Sequence, residues 1–347
     1  MVVTTVPVLT MPHLSERLLR LKPLVVIVGP TAVGKSRIAI EVAKRFETEI
    51  VTADSRQIYC GMDIGTDKPP IDSRQGVPHR LIDLVRPDES FNAGLFRRHA
   101  LAAIERLYER RQLPLVVGGT GLYVRTLLQG LCEAPPGNPT VRVQLCEEAR
   151  EQGPDRFYAR LVAVDPVTAS KLHPRDRSKV IRALEVHQLS GRPMSEFQQR
   201  HGFAERPFPA LIIGLNRDRD ALYRRIEERI DWQLTNGLVE ETRLLLDQGY
   251  RRESGAMKGL GYRQIAAYIA GEYGWAEMVR RFKRDTRHFA KRQMTWFRKE
   301  PGVTWLMVSE SETAAETVSR VISRIEQFVM TLEGAGETNE RGEDHGR

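Results

Sequence analysis

The chain has 347 residues, 41% hydrophobic and 28% charged, and 53 Lys and Arg against 45 Asp and Glu leave a formal net charge of +8. This is a globular mix with length for a large core and a satellite, and it excludes wholesale disorder. No run approaches the roughly 18 apolar residues of a membrane span, and the start of the chain lacks the basic and apolar regions of a secretory leader. The three cysteines, Cys60, Cys132 and Cys146, fit neither a disulfide framework nor a paired-Cys zinc site. A reduced, soluble, cytoplasmic protein is expected.

In chain order, residues 1–21 read as a loose lead-in. Residues 24–28 (LVVIV) are a continuous apolar run bounded by Pro23 and Gly29, the pattern of a strand buried on both faces. Ile38, Ala39, Val42, Ala43 and Phe46 then recur at helical spacing, and 49–53 reads as a second strand ending at Asp54. A helix is expected over 91–110 and a third strand over 113–117, stopped by Gly118-Gly119. Strands alternating with helices predict an α/β fold, a parallel sheet with crossover helices. The Pro- and Gly-rich stretch 135–139 breaks this rhythm, and 135–204 reads as a helical insertion dividing the core into 22–134 and 205–330. Residues 210–215 return to the sheet, after which helix is expected, opening on Asp218 or Asp220 as N-cap. Residues 331–347 read as a disordered tail.

The segment Gly29, Pro30, Thr31, Ala32, Val33, Gly34, Lys35, Ser36 matches the P-loop pattern G-x-x-x-x-G-K-[ST], with a strand before it and a helix after it. Backbone N–H groups and the helix N-terminus would face phosphate oxygens, Lys35 adds a full charge, and Ser36 offers a hydroxyl to Mg²⁺. An ordinary P-loop ATPase carries a second strand ending in an acid that helps hold the metal. Here the strand through Val117 ends in Gly118, Gly119, Thr120 and Gly121, and the nearby strand-end acid is Asp54. Residue chemistry alone leaves Asp54 equally a metal ligand or a general base. Between 279 and 299 nine Lys and Arg stand with one acid, Asp285, a density that suits a polyanion or a solvated helix face.

Several segments together resemble one family, the tRNA dimethylallyltransferases. They are the P-loop GPTAVGKS, DSRQIY from Asp54, MDIGTDKP from Met62, PHRLID from Pro78, GGTGLY from Gly118, RALEV from Arg182, GLGYR from Gly259 and KRQ from Lys291. The likeness runs in order over about 24–306. It implies a P-loop NTPase-like core and transfer of a dimethylallyl group from dimethylallyl diphosphate to the exocyclic amine of the tRNA adenosine 3′ to the anticodon. The P-loop would then hold the diphosphate, with Lys35 and Mg²⁺ on Ser36 stabilising the leaving group. Arg229, whose spacing from Arg225 alone favours a surface network with Glu228 or Asp231, moves toward the diphosphate. Asp54 takes the amine proton, Thr120 bonds near the donor oxygen, and Gln57 joins Asp54 at the adenine.

Contacts to the tRNA anticodon stem-loop are implied for Asp54, Ser55, Arg56 and Gln57, for Arg142, for Ser178, Lys179, Val180, Ile181 and Arg182, and for Lys258, Gly259, Leu260, Gly261, Tyr262 and Arg263. The basic segment would follow the RNA backbone. Lys179 stands where the family commonly has Arg, which exchanges a fork-shaped donor for a point charge. With no Cys after Cys146 the zinc finger of eukaryotic members is not expected, so the chain reads as bacterial in type and as a monomer. The competing readings are a P-loop kinase of a small molecule or nucleoside, and an RNA-binding protein with a nucleotide switch. The missing acid after Val117 and the basic second half count against the kinase.

Overall fold

In the computed structural model residues 13–334 are described. The chain forms two compact units, one from the residues up to Leu128 together with those from Pro207 onward, the other Gln129–Arg206.

The first unit is built on a six-stranded parallel sheet in the order β3-β2-β4-β1-β5-β6. Its strands are β1 (Leu24–Val28), β2 (Ile50–Thr52), β3 (His79–Arg80), β4 (Leu115–Gly118), β5 (Ala210–Asn216) and β6 (Val303–Met307). Every residue of β1, β2 and β4 is buried, as expected where helices cover both faces. β1 pairs with β4 on one side (Val28 opposite Gly118) and with β5 on the other (Val28 opposite Gly214). Because the strands are parallel, the segments leaving β1, β2 and β4 emerge at one edge of the sheet, where ligands of open α/β sheets bind.

Helices α1 (Glu16–Leu21), α2 (Lys35–Arg45), α3 (Ala93–Glu109), α4 (Gly121–Gln129), α10 (Arg219–Thr235), α11 (Leu238–Asp247), α12 (Tyr262–Ile269), α13 (Trp275–Phe297) and α14 (Ala314–Gly334) complete this unit. Side chains cap several of these helices: Asn92 accepts from Leu95 N–H at the start of α3, and Asp218, not Asp220, caps α10. Three expectations need correction, and one strand, β3, has no counterpart among them. Residues 16–21 are helical, with Ser15 as a capping acceptor, so the lead-in is ordered there. Helix α14 runs to Gly334; the remainder of the tail, and residues 1–12, lie outside the described residues. Strand β3 is two residues long, too short for any periodicity. Strand β6 interrupts the stretch expected to be helical; it is five residues at the sheet edge, and its apolar residues Trp305, Leu306 and Met307 are too few to tell from a buried helix segment by periodicity.

The second unit is helical: α5 (Pro139–Glu151), α6 (Gly153–Val164), α7 (Pro166–Ala169), α8 (Arg177–Ser190) and α9 (Met194–His201). It has its own core around Leu145, Phe157, Leu161, Val180, Ile181 and Leu184. The buried Asp165 carboxylate fixes it internally, accepting N–H bonds from Thr168 (2.9 Å) and Ser195 (2.9 Å). Among the described residues no helix is long and apolar enough to cross a membrane.

Candidate active site

Strand β1 leaves the sheet at Gly29 and the loop turns into α2 at Gly34, whose φ of 107° is in the left-handed region that glycine tolerates. Ala32 also has positive φ, 62°. Lys35 opens α2 and folds back over the loop, its Nζ donating to the carbonyls of Gly29 (2.9 Å) and Pro30 (2.8 Å). Burial pushes the pKa of this ammonium down to about 8; Asp54 and Asp67 oppose the shift and Arg229 adds to it. Ser36 is exposed, and its hydroxyl has no hydrogen-bond partner among the described residues. Val33 is buried and supports the loop from inside, its carbonyl accepting from Arg217 Nε (3.1 Å).

Strand β2 delivers Asp54 beside this loop. Its Oδ1 accepts the Arg56 N–H (2.8 Å), an Asx turn that fixes the carboxylate. Strand β4 exits next to it, and the two backbones approach so closely that a Cβ at Gly118 would lie 2.0 Å from the Ala53 carbonyl oxygen. Thr120 follows, its hydroxyl accepting the Ser55 N–H (3.0 Å). Gln293 of α13, 7% exposed, joins the two turns: its Oε1 accepts the Thr31 N–H and its Nε2 donates to the Gly119 carbonyl, both at 2.9 Å.

A cavity of about 490 Å³ lies over the P-loop, lined by Thr31, Gly34, Lys35, Ser36, Asp54, Gln57, Thr66, Asp67, Arg225 and Arg229 among others. A second, of about 280 Å³, is lined by Asp54, Ser55, Arg56, Thr120, Lys258, Gly259, Leu260, Tyr262, Arg263, Phe282, Phe289 and Arg292 among others. Thr31, Asp54, Thr66 and Arg229 line both. Arg229 is bound to the Thr31 hydroxyl and to Asp67 Oδ2 (2.8 Å). Its Nε is buried with no hydrogen-bond partner among the described residues. A buried N–H of a permanent cation left unsatisfied is costly, and it marks a place for an anion's oxygen.

The expected site residues separate as follows. Asp54, Lys35, Ser36, Thr31 and Arg229 converge. The surface network considered for Arg229 does not form, since Asp231 pairs with Lys283 and Arg225 Nε donates to the Ala32 carbonyl. Gln57 lines the P-loop cavity, its amide donating to the carbonyls of Thr66 (3.2 Å) and Asp67 (3.0 Å), so it is not beside Asp54 in the second cavity. Thr120 lines the second cavity and not the one over the P-loop. Gly261 caps α12 and is buried against Phe282, so it lines neither.

Within the helical unit, Val180 and Ile181 are core side chains and offer no surface to a partner. Ser178 and Lys179 are exposed, Lys179 pairing with Asp176 (3.0 Å). Arg142 and Arg182 share the buried Glu185 carboxylate (2.6 and 2.7 Å), which also accepts the Asn138 N–H (2.8 Å). Burial raises the Glu185 pKa, but the bonds from Arg182 and Arg142 outweigh it and hold the carboxyl below the usual range.

The basic segment is uneven. Arg280 and Arg281 pair with Glu277, Lys283 with Asp231, Arg284 with Asp285 and Arg287 with Glu227. Lys291, Arg292, Arg298 and Lys299 have no ion pair among the described residues, so the unbalanced charge sits at the C-terminal end of α13. Residue reading gave no role to Thr66, Asp67, Gln233 or Glu241. Thr66 and Asp67 lie in the MDIGTDKP segment, whose pattern is visible in the sequence but whose chemistry depends on neighbours brought by other elements.

The IPP transferase family model matches residues 57–300. The chain belongs to the IPP transferase family. It is 50% identical over 288 residues to tRNA dimethylallyltransferase 2 of Geotalea uraniireducens, covering 83% of this chain and 93% of that protein. The crystal structure of a full-length tRNA isopentenylpyrophosphate transferase from Bacillus halodurans superposes with TM-score 0.69 at 34% identity, covering 91% of this chain and 99% of that one. A eukaryotic dimethylallyltransferase acting on tRNA superposes with TM-score 0.77 at 28% identity, covering 89% and 80%. The α/β core is accordingly P-loop NTPase-like, as expected.

Proposed function

We propose that the chain transfers a dimethylallyl group from dimethylallyl diphosphate to the exocyclic amine of the tRNA adenosine 3′-adjacent to the anticodon. The observation that carries this reading is the meeting of two cavities at Asp54, one lined by a phosphate-binding loop and the other by aromatic, Lys and Arg side chains. A small-molecule kinase would also join a donor site to an acceptor site; what favours transfer to an RNA base is the lining of the second cavity, where Lys258 and Arg292 suit a polyanionic acceptor.

The diphosphate sits on the P-loop. Lys35 exchanges its two carbonyl acceptors for phosphate oxygens, and the unpartnered Arg229 Nε supplies a further donor. The adenine, extruded from the anticodon loop, enters the second cavity, where the half-buried Phe289 offers an apolar face for stacking and Lys258, Arg263 and Arg292 meet phosphates. The amine nitrogen attacks C1 of the dimethylallyl group, the C–O bond breaks with its electron pair going to the diphosphate oxygen, and Asp54 takes the amine proton. Thr120 holds the Ser55 backbone and so the start of the 54–57 turn.

Among the described residues no group of three or more His, Cys, Asp or Glu could cage a metal. A hard cation that keeps several waters and binds chiefly through substrate phosphates fits this donor set, with Ser36 as the protein ligand. Mg²⁺ held there supplies charge neutralisation for the departing diphosphate. Arg142, Ser178, Lys179 and Arg182 are the helical unit's contacts to the anticodon stem-loop, with the two arginines pre-oriented by Glu185. The enzyme works as a monomer, since the cavities are complete within one chain.

The deciding experiment incubates the chain with unmodified tRNA, Mg²⁺ and either dimethylallyl diphosphate or ATP, followed by mass spectrometry of the digested nucleosides. An adenosine heavier by one dimethylallyl group, formed only with the prenyl donor, is the expected result. ATP consumption with a small acceptor and no prenylated adenosine would establish the kinase reading instead.

A further inference from the structure

We infer that Glu241 is a positioning residue for the diphosphate site, acting through the 63–67 loop on Asp67 and Arg229; this rests on the reading above that the P-loop cavity holds the donor's diphosphate.

The loop has no ladder or helix of its own to define it. It is tied by two backbone bonds, Asp67 N–H to the Ile64 carbonyl (3.1 Å) and Lys68 N–H to the Asp63 carbonyl (3.0 Å), and three of its other N–H groups converge on one carboxylate. Glu241, on α11, accepts the N–H groups of Asp63 (3.0 Å), Ile64 (2.9 Å) and Gly65 (3.2 Å), and the Tyr262 hydroxyl (2.6 Å) as well. Four donors saturate the lone-pair sites of an ionised carboxylate and fix both its oxygens. Burial, helped by Glu241, pushes the Tyr262 phenol up, so it remains a donor at any working pH. Gly65 lies flat on that ring; a Cβ there would sit 2.5 Å from ring carbons.

The other side of the loop is gripped by α10. Gln233 Nε2 donates to the Ile64 carbonyl (2.6 Å), and Arg229, one turn earlier on the same helix face, meets Asp67 (2.8 Å). Asp67 adopts a left-handed φ of 55°, a conformation that Asp accepts more readily than most residues but that still favours a held backbone. Upstream of it the loop is held by Glu241 and Gln233, while Gln57 grips the Thr66 and Asp67 carbonyls from the P-loop side. Asp67 in turn is the carboxylate that orients Arg229 beside the P-loop Thr31, and Thr66, between the clamp and Asp67, lines both cavities. Glu241 touches neither cavity, so any effect it has on diphosphate binding passes through the loop.

The test titrates Mg²⁺ and inorganic pyrophosphate into the full chain by calorimetry, alongside thermal melts, for wild type, Glu241→Gln, Asp67→Asn and the double variant. In Glu241→Gln an amide NH₂ replaces one acceptor oxygen and confronts the loop N–H groups, so pyrophosphate affinity should fall by about tenfold or more. Asp67→Asn should cost a similar factor, and the double variant should bind no more weakly than the worse single, because both act on one guanidinium. Glu241→Gln binding within about twofold of wild type, with only the melting temperature lowered, overturns the inference, as do single effects that multiply in the double variant. Should Glu241→Gln not fold, Gln233→Leu releases the loop from the opposite side and must weaken pyrophosphate in the same direction; unchanged affinity there also overturns it. Wild type that binds pyrophosphate yet prenylates no tRNA removes the transfer reading and leaves Glu241 to be judged on the variants. Wild type without pyrophosphate affinity removes both.

Discussion

Lys35 makes donor binding depend on pH in a calculable way. Its ammonium is desolvated in the free chain, and its pKa of about 8 means that the cation is present below that value and lost above it. A bound diphosphate requires the charged form. By linkage, apparent affinity is then near its maximum below pH 8 and falls by up to about tenfold per pH unit above it. Between pH 7 and pH 9 the Lys35 contribution should raise the apparent Kd about tenfold, equivalent to about 1.4 kcal/mol. The assay is calorimetric titration of a non-reactive dimethylallyl diphosphate analogue at half-unit steps, for wild type and for Lys35→Arg. Arginine stays charged across this range, and ionisation of the ligand is common to both proteins, so the ratio of their Kd values isolates the lysine. A ratio that is flat from pH 7 to 9 would refute the reasoning, since it would mean that burial does not depress this amine.

Three further outcomes are expected. Asp54→Asn should lower the prenylation rate by about 10²–10⁴ while leaving pyrophosphate affinity within a few-fold; lost affinity with intact turnover of bound donor would make Asp54 a metal ligand. Gln293→Met strands the Thr31 N–H and the Gly119 carbonyl at about 1–3 kcal/mol each, so differential scanning calorimetry should show Tm lower by about 5–10 °C. Glu185→Ala strands the Asn138 N–H and removes the acceptor that orients two partly exposed guanidiniums of the helical unit, a loss of about 1–3 kcal/mol in that unit. Filter binding should show weakened tRNA affinity, with the KM for dimethylallyl diphosphate unchanged.

The P-loop strand, helix α2 and the helical character of 139–201 were legible because each is long, periodic or motif-bearing. Strand β6 was not, since five residues are too short for their apolar positions to be told from a buried helix segment. At the site, Asp54, Lys35 and Ser36 were legible as residue types beside strand ends. The allocation of Gln57 to one cavity and Thr120 to the other was not, because it depends on how the exits of β2 and β4 cross at Gly118. The Glu241 and Gln293 bridges were hidden for a related reason. Each joins segments more than 170 residues apart, and a Glu or Gln on a helix is indistinguishable in sequence from a solvated one. Charge density over 279–299 overstated its free cations, because their partners Asp231 and Glu227 come from another helix.

The division of the sheet between two stretches of chain has a consequence for how the protein is made. Strand β1 finds one neighbour, β4, early, but its other neighbour, β5, is separated from it by roughly 180 residues. At about 5–20 residues per second of synthesis, β1 waits on the order of 10–40 s with one edge unpaired. The helical unit, which has its own core and mostly local contacts, emerges during that interval and can complete folding first. The nascent chain therefore carries an open, apolar strand edge until β5 arrives, the kind of edge that templates aggregation. The mature catalytic edge of the sheet is a late product: neither the P-loop strand nor the Gln293 bridge is closed until most of the chain has left the ribosome.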